Sequence, residues 1–149
     1  MSRLSETELR AWQALLHASH DVVERLDREL RDEHDLPLAA YDVLLRLARA
    51  PGRALRMTEL AERVLLSPSG ATRSVDRLAA KGLVARKEDS GDARAWRVVL
   101  TPKGLALLKR ASASHLRGIR EHFTGKLSDA QLRGVAAGLE RVTGPHEPH

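Results

Sequence analysis

The chain of 149 residues has no cysteine, and aromatic residues make up only 3% of it. Without cysteine there can be no disulfide, thiolate zinc site, iron–sulfur cluster or thiol-based redox sensor. The scarcity of aromatic rings means that the core must rest on Leu, Val and Ala. The sequence also lacks any apolar run near the roughly 20 residues that span a bilayer, and its charged beginning lacks the apolar segment of a signal peptide. We therefore expect a soluble, cytoplasmic protein.

The composition and the charge distribution indicate which class of protein this is. With 42% hydrophobic and 30% charged residues, the chain is typical of a globular protein, and its length suits one domain of roughly 100–200 residues. The net charge is +5. Residues 1–50 carry seven basic and ten acidic side chains, whereas residues 51–149 carry 18 basic and ten acidic ones. This asymmetry favours a polyanionic partner that meets the middle of the chain.

The first third of the sequence predicts two helices. Ser5 and Glu8 have the spacing of a capping box, and apolar residues follow at helical intervals to about Arg31. A second helix begins around Pro37, a proline suited to the first turn, and stops before Pro51. The first helix is long for so small a domain.

Two short helices are predicted next, in the middle of the chain. Thr58 can cap the first of them. Ser67 and Pro68 provide an N-cap and a first-turn proline for the other, which spans residues 67–81 and is closed by Gly82. Two short helices joined by a few residues indicate a helix-turn-helix.

A β-hairpin is predicted directly after the helix pair. Residues 83–87 and 96–100 have strand character, and the turn residues 89–92 separate them. Two more helices follow, over 102–124 and 128–142. The expected fold class is therefore mainly α with a small β-hairpin.

The helix at 67–81 has two different faces. One is apolar, with Ala71, Val75, Leu78 and Ala79. The opposite face is polar and basic, with Ser69, Thr72, Arg73, Asp76, Arg77 and Ala80. A helix that enters the major groove needs such a face. Ser67 or Ser69 could meet phosphates, Gly70 allows close approach, and the forked Arg73 reaches O6 and N7 of guanine.

Five short segments stand in a fixed order along the chain: LA at 60–61, SPSGATRSVDRL at 67–78, KGLVAR at 81–86, DSGDARA at 89–95 and VLTPKG at 99–104. Together they resemble the MarR family of bacterial transcription regulators, and the resemblance extends over essentially the whole chain. It implies a winged helix-turn-helix homodimer. Residues 37–100 would form the DNA-binding lobe, with the recognition helix at 67–81 and the wing at 83–100, and residues 5–34 and 102–143 would form the dimerisation helices.

The resemblance also implies roles in the wing. Asp92 would orient Arg94 toward the minor groove, and Arg77 and Arg86 match positions that touch phosphate or brace the wing. Ala93 occupies a position at which members of the family commonly have a basic residue, which implies that this wing binds DNA somewhat less tightly. The residues expected to bind DNA are Ser67, Ser69, Gly70, Thr72, Arg73, Arg77, Arg86, Lys87, Asp92 and Arg94.

A small aromatic or anionic effector is a further implication of the resemblance, in a cleft between the dimer core and the DNA-binding lobe. The candidate residues are Trp12, His17, His20, Tyr41 and Asp42, with Arg86 beside them. The helical periodicity supports another interpretation, in which Trp12 and Tyr41 belong to the core and the two histidines form a solvated pair.

The patterns and the resemblance together favour a sequence-specific regulator that binds double-stranded DNA, and the resemblance implies that it acts as a repressor. The long helices carry more apolar surface than a small winged lobe could cover, which favours a homodimer and a pseudo-palindromic operator with half-sites roughly 10 bp apart.

Two alternatives stay open, a winged-helix module for protein–protein contact and a metal-responsive regulator that uses histidines. His115 and His122 are two helical turns apart, so an ion between them would need ligands from another element. No nucleophile, phosphate-loop or dinucleotide motif is present. We expect no catalytic residue, no cofactor and no metal ligand.

Overall fold

The computed structural model describes residues 2–65, 68–89 and 91–144, and within them it contains six α-helices and one three-stranded sheet. The helices are α1 Glu6–His34, α2 Leu38–Arg49, α3 Met57–Arg63, α4 Ala71–Ala80, α5 Pro102–His122 and α6 Asp129–Thr143. The strands are β1 Ala54–Arg56, β2 Val84–Asp89 and β3 Asp92–Leu100. The predicted class, mainly α with a small β-hairpin, is confirmed.

Hydroxyl caps set the starts of three helices, as the sequence predicts. Ser5 Oγ accepts the Glu8 N–H at 3.2 Å, and the Glu8 carboxylate accepts the Ser5 N–H at 2.7 Å. That backbone hydrogen bond lowers the pKa of Glu8. Ser128 and Gln131 repeat the pattern at the start of α6. Thr101 Oγ1 accepts the Gly104 N–H at 3.0 Å, one residue before the helix proper begins at a proline.

The two short helices begin differently from the prediction. Arg56 already has extended backbone geometry and occupies the N-cap of α3, so Thr58 lies inside the first turn and does not cap the helix. The Glu59 carboxylate accepts the Arg56 N–H instead, at 3.2 Å. Before α4, residues Pro68–Gly70 form a 3-10 turn. Ser67, the predicted N-cap, lies outside the described residues.

The sheet has one more strand than the sequence predicts. Its order is β1-β3-β2, and both pairings are antiparallel. Leu55 of β1 lies opposite Val98, which also lies opposite Arg86 of β2. Three residues are too few for a periodic pattern, and for that reason β1 escaped sequence analysis. Strands β2 and β3 are longer than predicted and meet with a register irregularity at Glu88 and Asp89.

The core lies between the helix-turn-helix, the sheet and α5. The side chains of Leu44, Leu47, Leu60, Val75 and Val98 are fully buried. In contrast, α1 buries residues only in its second half, and none of the residues of α6 is buried. Within the part of the chain that the structure describes, no helix is long and apolar enough to cross a membrane.

Two glycines fix the junction between α4, the sheet and α5. Gly82 has a φ of +73°, the left-handed geometry predicted at the end of α4. Gly104 lies in the first turn of α5 and is packed directly on the chain that enters β2. A Cβ atom on Gly104 would lie 2.0 Å from the carbonyl oxygen of Leu83. The absence of a side chain therefore lets α5 approach the sheet.

Gly104→Ala should destabilise the protein by about 1–3 kcal/mol, the usual cost of overpacking, because the new methyl group overlaps backbone. Helix propensity alone predicts the opposite, a gain of about 1 kcal/mol. Urea denaturation gives the free energy of unfolding. Ala106→Gly, at an exposed position of the same helix, is the control and should lose about 1 kcal/mol. A gain in stability for G104A would contradict this packing.

Candidate nucleic-acid interface

Helix α4 turns its polar face to solvent, as predicted. Ala71, Val75 and Leu78 are buried and pack into the core. The exposed residues are Ser69, Thr72, Arg73, Asp76, Arg77 and Ala80. Gly70 is buried at the start of the helix. A stripe of hydroxyl and guanidinium groups is thus presented on a rigid element, with short side chains at its N-terminal end.

Arg86 joins the wing to this helix. It extends from β2 and forms an ion pair and hydrogen bond with Asp76 on the exposed face of α4. Both side chains remain partly exposed. Two roles are implied for Arg86, phosphate contact and bracing of the wing. The ion pair with Asp76 corresponds to the second, because it links the wing to α4.

Three other cations on this surface carry uncompensated charge. Across residues 2–65, 68–89 and 91–144, no ion-pair partner is found for Arg73, Arg77 or Lys87. Arg73 and Arg77 border a cleft of about 430 Å³ between α4 and the start of α2, and Arg31 and Lys81 also line it. Asp35 also lines the cleft and pairs with Lys81, and Arg31 pairs with Asp27, so the uncompensated positive charge beside the cleft comes from Arg73 and Arg77.

The C-terminal end of α4 is tied to the end of α1. Lys81 Nζ donates to the carbonyl oxygen of Asp35 at 3.0 Å and to its carboxylate at 2.9 Å. The hydrogen bond from Lys81 lowers the pKa of Asp35. Lys103 Nζ in turn donates to the Lys81 carbonyl at 2.9 Å. These contacts set the position of α4 relative to the long first helix.

The distal wing is described only in part. Asp92 and Arg94 belong to β3, but their side chains lie outside what the structure describes, so the predicted Asp92–Arg94 pair stays a prediction. Trp96, also on β3, is 47% exposed and lies opposite Glu88.

An ion pair at the wing was missed by sequence analysis. Arg56 Nη2 lies 2.6 Å from the carboxylate of Asp89, which is buried at the irregular end of β2. The sequence analysis interpreted Asp89 as a turn residue. Arg56 stands 33 positions earlier in the chain, and no local pattern links the two.

The effector candidates on α1 are exposed in the single chain. Trp12 is 54% exposed, so the interpretation that assigned it to the core is wrong for one protomer. The reason is that residues 6–20, the first half of α1, are all exposed against the part of the chain that the structure describes. His17 and His20 are solvated, as the alternative interpretation expected, and His20 lies 3.3 Å from Glu24.

The effector candidates on α2 are buried and already paired. Tyr41 Oη is 3.0 Å from Ser112 Oγ, and its ring lies 4.6 Å from that of His115. The Asp42 carboxylate accepts the Leu65 N–H at 2.8 Å and the Arg46 Nε–H at 3.3 Å. Neither residue lines the cleft between α4 and the start of α2, and these two buried side chains contrast with the exposed candidates on α1. Asp42 instead secures the turn after α3.

Comparisons with known proteins agree with this geometry. Residues 34–95 match the sequence model of the MarR family. The chain is 31% identical over 112 residues to an uncharacterized HTH-type transcriptional regulator of Bacillus cereus, across 73% of this chain and 71% of that protein. It is also 31% identical over 105 residues to the HTH-type transcriptional repressor MdtR of Bacillus subtilis, across 61% of this chain and 68% of MdtR.

A solved structure is similar over nearly the full length. Sco3205, a MarR family transcriptional regulator from Streptomyces coelicolor crystallised in complex with DNA, superposes with a TM-score of 0.89. The two chains are 28% identical, and the match covers 99% of this chain and 93% of Sco3205.

Asp42→Asn should lower the free energy of unfolding by about 1–3 kcal/mol, because the buried carboxylate that receives the Leu65 N–H and faces Arg46 loses its charge. Thermal denaturation followed by circular dichroism measures the change. Asp21→Asn, the same substitution at an exposed position of α1, should stay within about 0.5 kcal/mol. If D42N is as stable as the unaltered protein, the carboxylate of Asp42 does not stabilise the fold, and effector binding remains open as its role.

Proposed function

The chain belongs to the MarR family of transcriptional regulators, and on that basis we propose that it is a cytoplasmic repressor that binds a specific double-stranded DNA operator as a homodimer. The observation that carries the proposal is the exposed stripe of α4, where Thr72, Arg73 and Arg77 stand clear of the core without acidic partners among the described residues. The repressor role is supported by the similarity to MdtR.

In this proposal α4 lies in the major groove. Ser69 and Thr72 contact phosphates near the start of the helix, and Ser67 would do the same. Gly70 has no side chain, so the start of the helix can approach the DNA closely. Arg73, one turn into the helix, forms the bidentate contact to guanine. Arg77 and Lys87 contribute charge that binds any sequence, since phosphate contacts position the protein and base contacts specify the site.

The wing supplies the second contact. Arg94 enters the minor groove, with Asp92 holding its guanidinium in place. Arg86 keeps the wing against α4 through its ion pair with Asp76. This contact lets the helix and the wing approach DNA as one unit, which supports simultaneous binding in two grooves. The DNA complex of Sco3205, a protein 28% identical to this one, is consistent with such binding.

Homodimer formation is supported by apolar side chains that the single chain leaves uncovered on its long helices. They are Leu9, Trp12, Leu15, Leu16, Val23, Leu116, Val135, Leu139 and Val142, with Leu4 just before α1. A contiguous exposed apolar patch usually marks a protein interface, and the helical spacing of these residues on α1 favours such a patch. Residues 5–34 and 102–143 would supply the interface, and two recognition helices related by a two-fold axis would then meet successive major grooves.

Release by a small anionic effector also belongs to the proposal. The cleft also contains the carboxylate of Asp35, which pairs with Lys81, but Arg73 and Arg77 leave positive charge at its edge that is suited to an anion. An anion held there would neutralise Arg73 and Arg77, the same residues that are proposed to meet DNA. Binding of the effector and binding of the operator would then exclude each other.

Arg73→Ala should weaken operator binding by roughly 1–3 kcal/mol and relax base preference at one position, because it removes a bidentate contact. Arg94→Ala should weaken binding with little change in preference. The operator is first selected from random duplex DNA with the purified protein, and each variant is then titrated against it and against single-base substitutions. Arg120→Ala, an exposed arginine of α5 outside the proposed lobe, is the control.

Equal and negligible losses for R73A and R94A would refute this assignment of the interface. The salt dependence of affinity separates DNA binding from the alternative of a protein–protein module. Counterion release predicts a steep loss of DNA affinity as salt is raised. Failure to select any duplex at low salt would favour the protein–protein module.

Leu16→Asp should convert a dimer into monomers and abolish operator binding, because it places a charge in the proposed apolar interface. Light scattering should give twice the chain mass of 16.5 kDa for the unaltered protein and the single mass for the variant. Leu65→Asp is the matched control for the subunit mass alone, since Leu65 is also exposed but lies after α3, in the proposed DNA-binding lobe and outside the dimerisation helices. A monomeric unaltered protein would contradict the proposal.

A further inference from the structure

Helix α5 presents two imidazoles and a glycine toward α1. His115, Gly118 and His122 are spaced by three and four residues, so they lie on one face of the helix. The side chain of His122 is only 10% exposed. An ion between two histidines of one helix needs ligands from a second element, and α1 packs on this face with the carboxylate of Glu29.

Gly118 makes room for that carboxylate. A Cβ atom at position 118 would lie 2.6 Å from Oε2 of Glu29 and 2.7 Å from a methyl group of Leu26. The carboxylate can therefore rest directly on the α5 backbone, between the two histidines. Its other oxygen, Oε1, is hydrogen-bonded to Nε2 of His122.

Glu121 completes a group of three potential ligands. One oxygen of Glu29, one oxygen of Glu121 and one ring nitrogen of His122 all lie within 4.8 Å of one another. Glu121 is exposed, Glu29 and His122 are partly buried, and solvent reaches the group from the Glu121 side. Zn²⁺ takes nitrogen and carboxylate oxygen ligands at about 2.0–2.2 Å, so the three atoms would have to converge on one ion.

We propose that Glu29, Glu121 and His122 form a binding site for a divalent transition-metal ion such as Zn²⁺. Two carboxylates and one imidazole suit zinc, with a fourth position left for water. The imidazole nitrogen disfavours Mg²⁺ and Ca²⁺, which prefer oxygen ligands throughout. The sequence alone gave no metal ligands, because Glu29 is 93 residues from His122 and only the packing of α1 on α5 joins them.

His115 supports the site from one side. Its Nδ1 is buried and has no hydrogen-bond partner among the described residues. Burial lowers the pKa of His115, although the charge of Glu29 opposes the shift. The unpartnered nitrogen of His115 is a further potential donor on the same helix face.

The bound ion would clamp α1 to the end of α5. Glu29 lies near the end of α1, and Glu121 and His122 are the last two residues of α5. Metal binding is measured without DNA, so a protein that binds no metal could still bind an operator. A protein that binds no operator could likewise still bind the metal. A metal-dependent change in operator affinity would be a separate consequence.

The experiment uses the untagged full chain, stripped with EDTA and titrated with Co²⁺, whose visible d–d absorption reports coordination. We expect one Co²⁺ per chain, displaced by Zn²⁺ and not by excess Mg²⁺. His122→Gln and Glu121→Gln should each weaken Co²⁺ binding at least ten-fold. Glu121 is exposed, so E121Q decides the outcome if H122Q proves unfolded by circular dichroism.

Two controls match the proposed ligands. His20→Gln alters another histidine that faces a glutamate, the solvated His20–Glu24 pair, and should leave Co²⁺ binding unchanged. His146→Gln combined with His149→Gln tests the C-terminal histidines and should also have no effect. The proposal is overturned if the unaltered chain binds no Co²⁺, if E121Q binds as tightly as the unaltered chain, or if the C-terminal variant abolishes binding.

Discussion

The burial of one face of α4 is the constraint on which the rest of the structure depends. Ala71, Val75 and Leu78 pack into the core, and a fully buried Val or Leu side chain contributes about 1.5–3 kcal/mol relative to exposure. Because an α-helix has a fixed period, burying those three positions forces Arg73 and Arg77 outward. The exposed basic face that is proposed to meet DNA is therefore a geometric consequence of the core, and rotating α4 to hide the arginines would expose the apolar face.

Further contacts set the orientation of α4. Lys81 ties its end to Asp35, Arg86 ties its exposed face to the wing, and Gly104 lets α5 pack closely on Leu83, just beyond the end of the helix. Two of these contacts are ion pairs at the surface, worth about 1 kcal/mol or less each, so they orient α4 more than they stabilise the fold. The apolar core supplies the stability, and the charged contacts select one orientation of the recognition surface.

Sequence patterns predicted the features that depend on near neighbours. The capping residues Ser5, Thr101 and Ser128 and the two faces of α4 follow from spacings of three and four residues, and all are confirmed. Features that depend on packing could not be predicted. Strand β1 exists only because β3 pairs with it, and Asp42 is buried because Leu65 needs a hydrogen-bond acceptor. Trp12 has the periodicity of a core residue, but no described part of the chain covers it.

The chain has only two tryptophans, and each lies on a different candidate interface. Trp12 is on the exposed half of α1, and Trp96 is on the wing. Indole fluorescence shifts to shorter wavelength when water is removed from the ring, so Trp12 would report the proposed subunit association and Trp96 the proposed contact of the wing with DNA. Replacing either tryptophan with phenylalanine leaves a single emitter. Assembly and operator binding could then be followed separately in solution, without an attached dye.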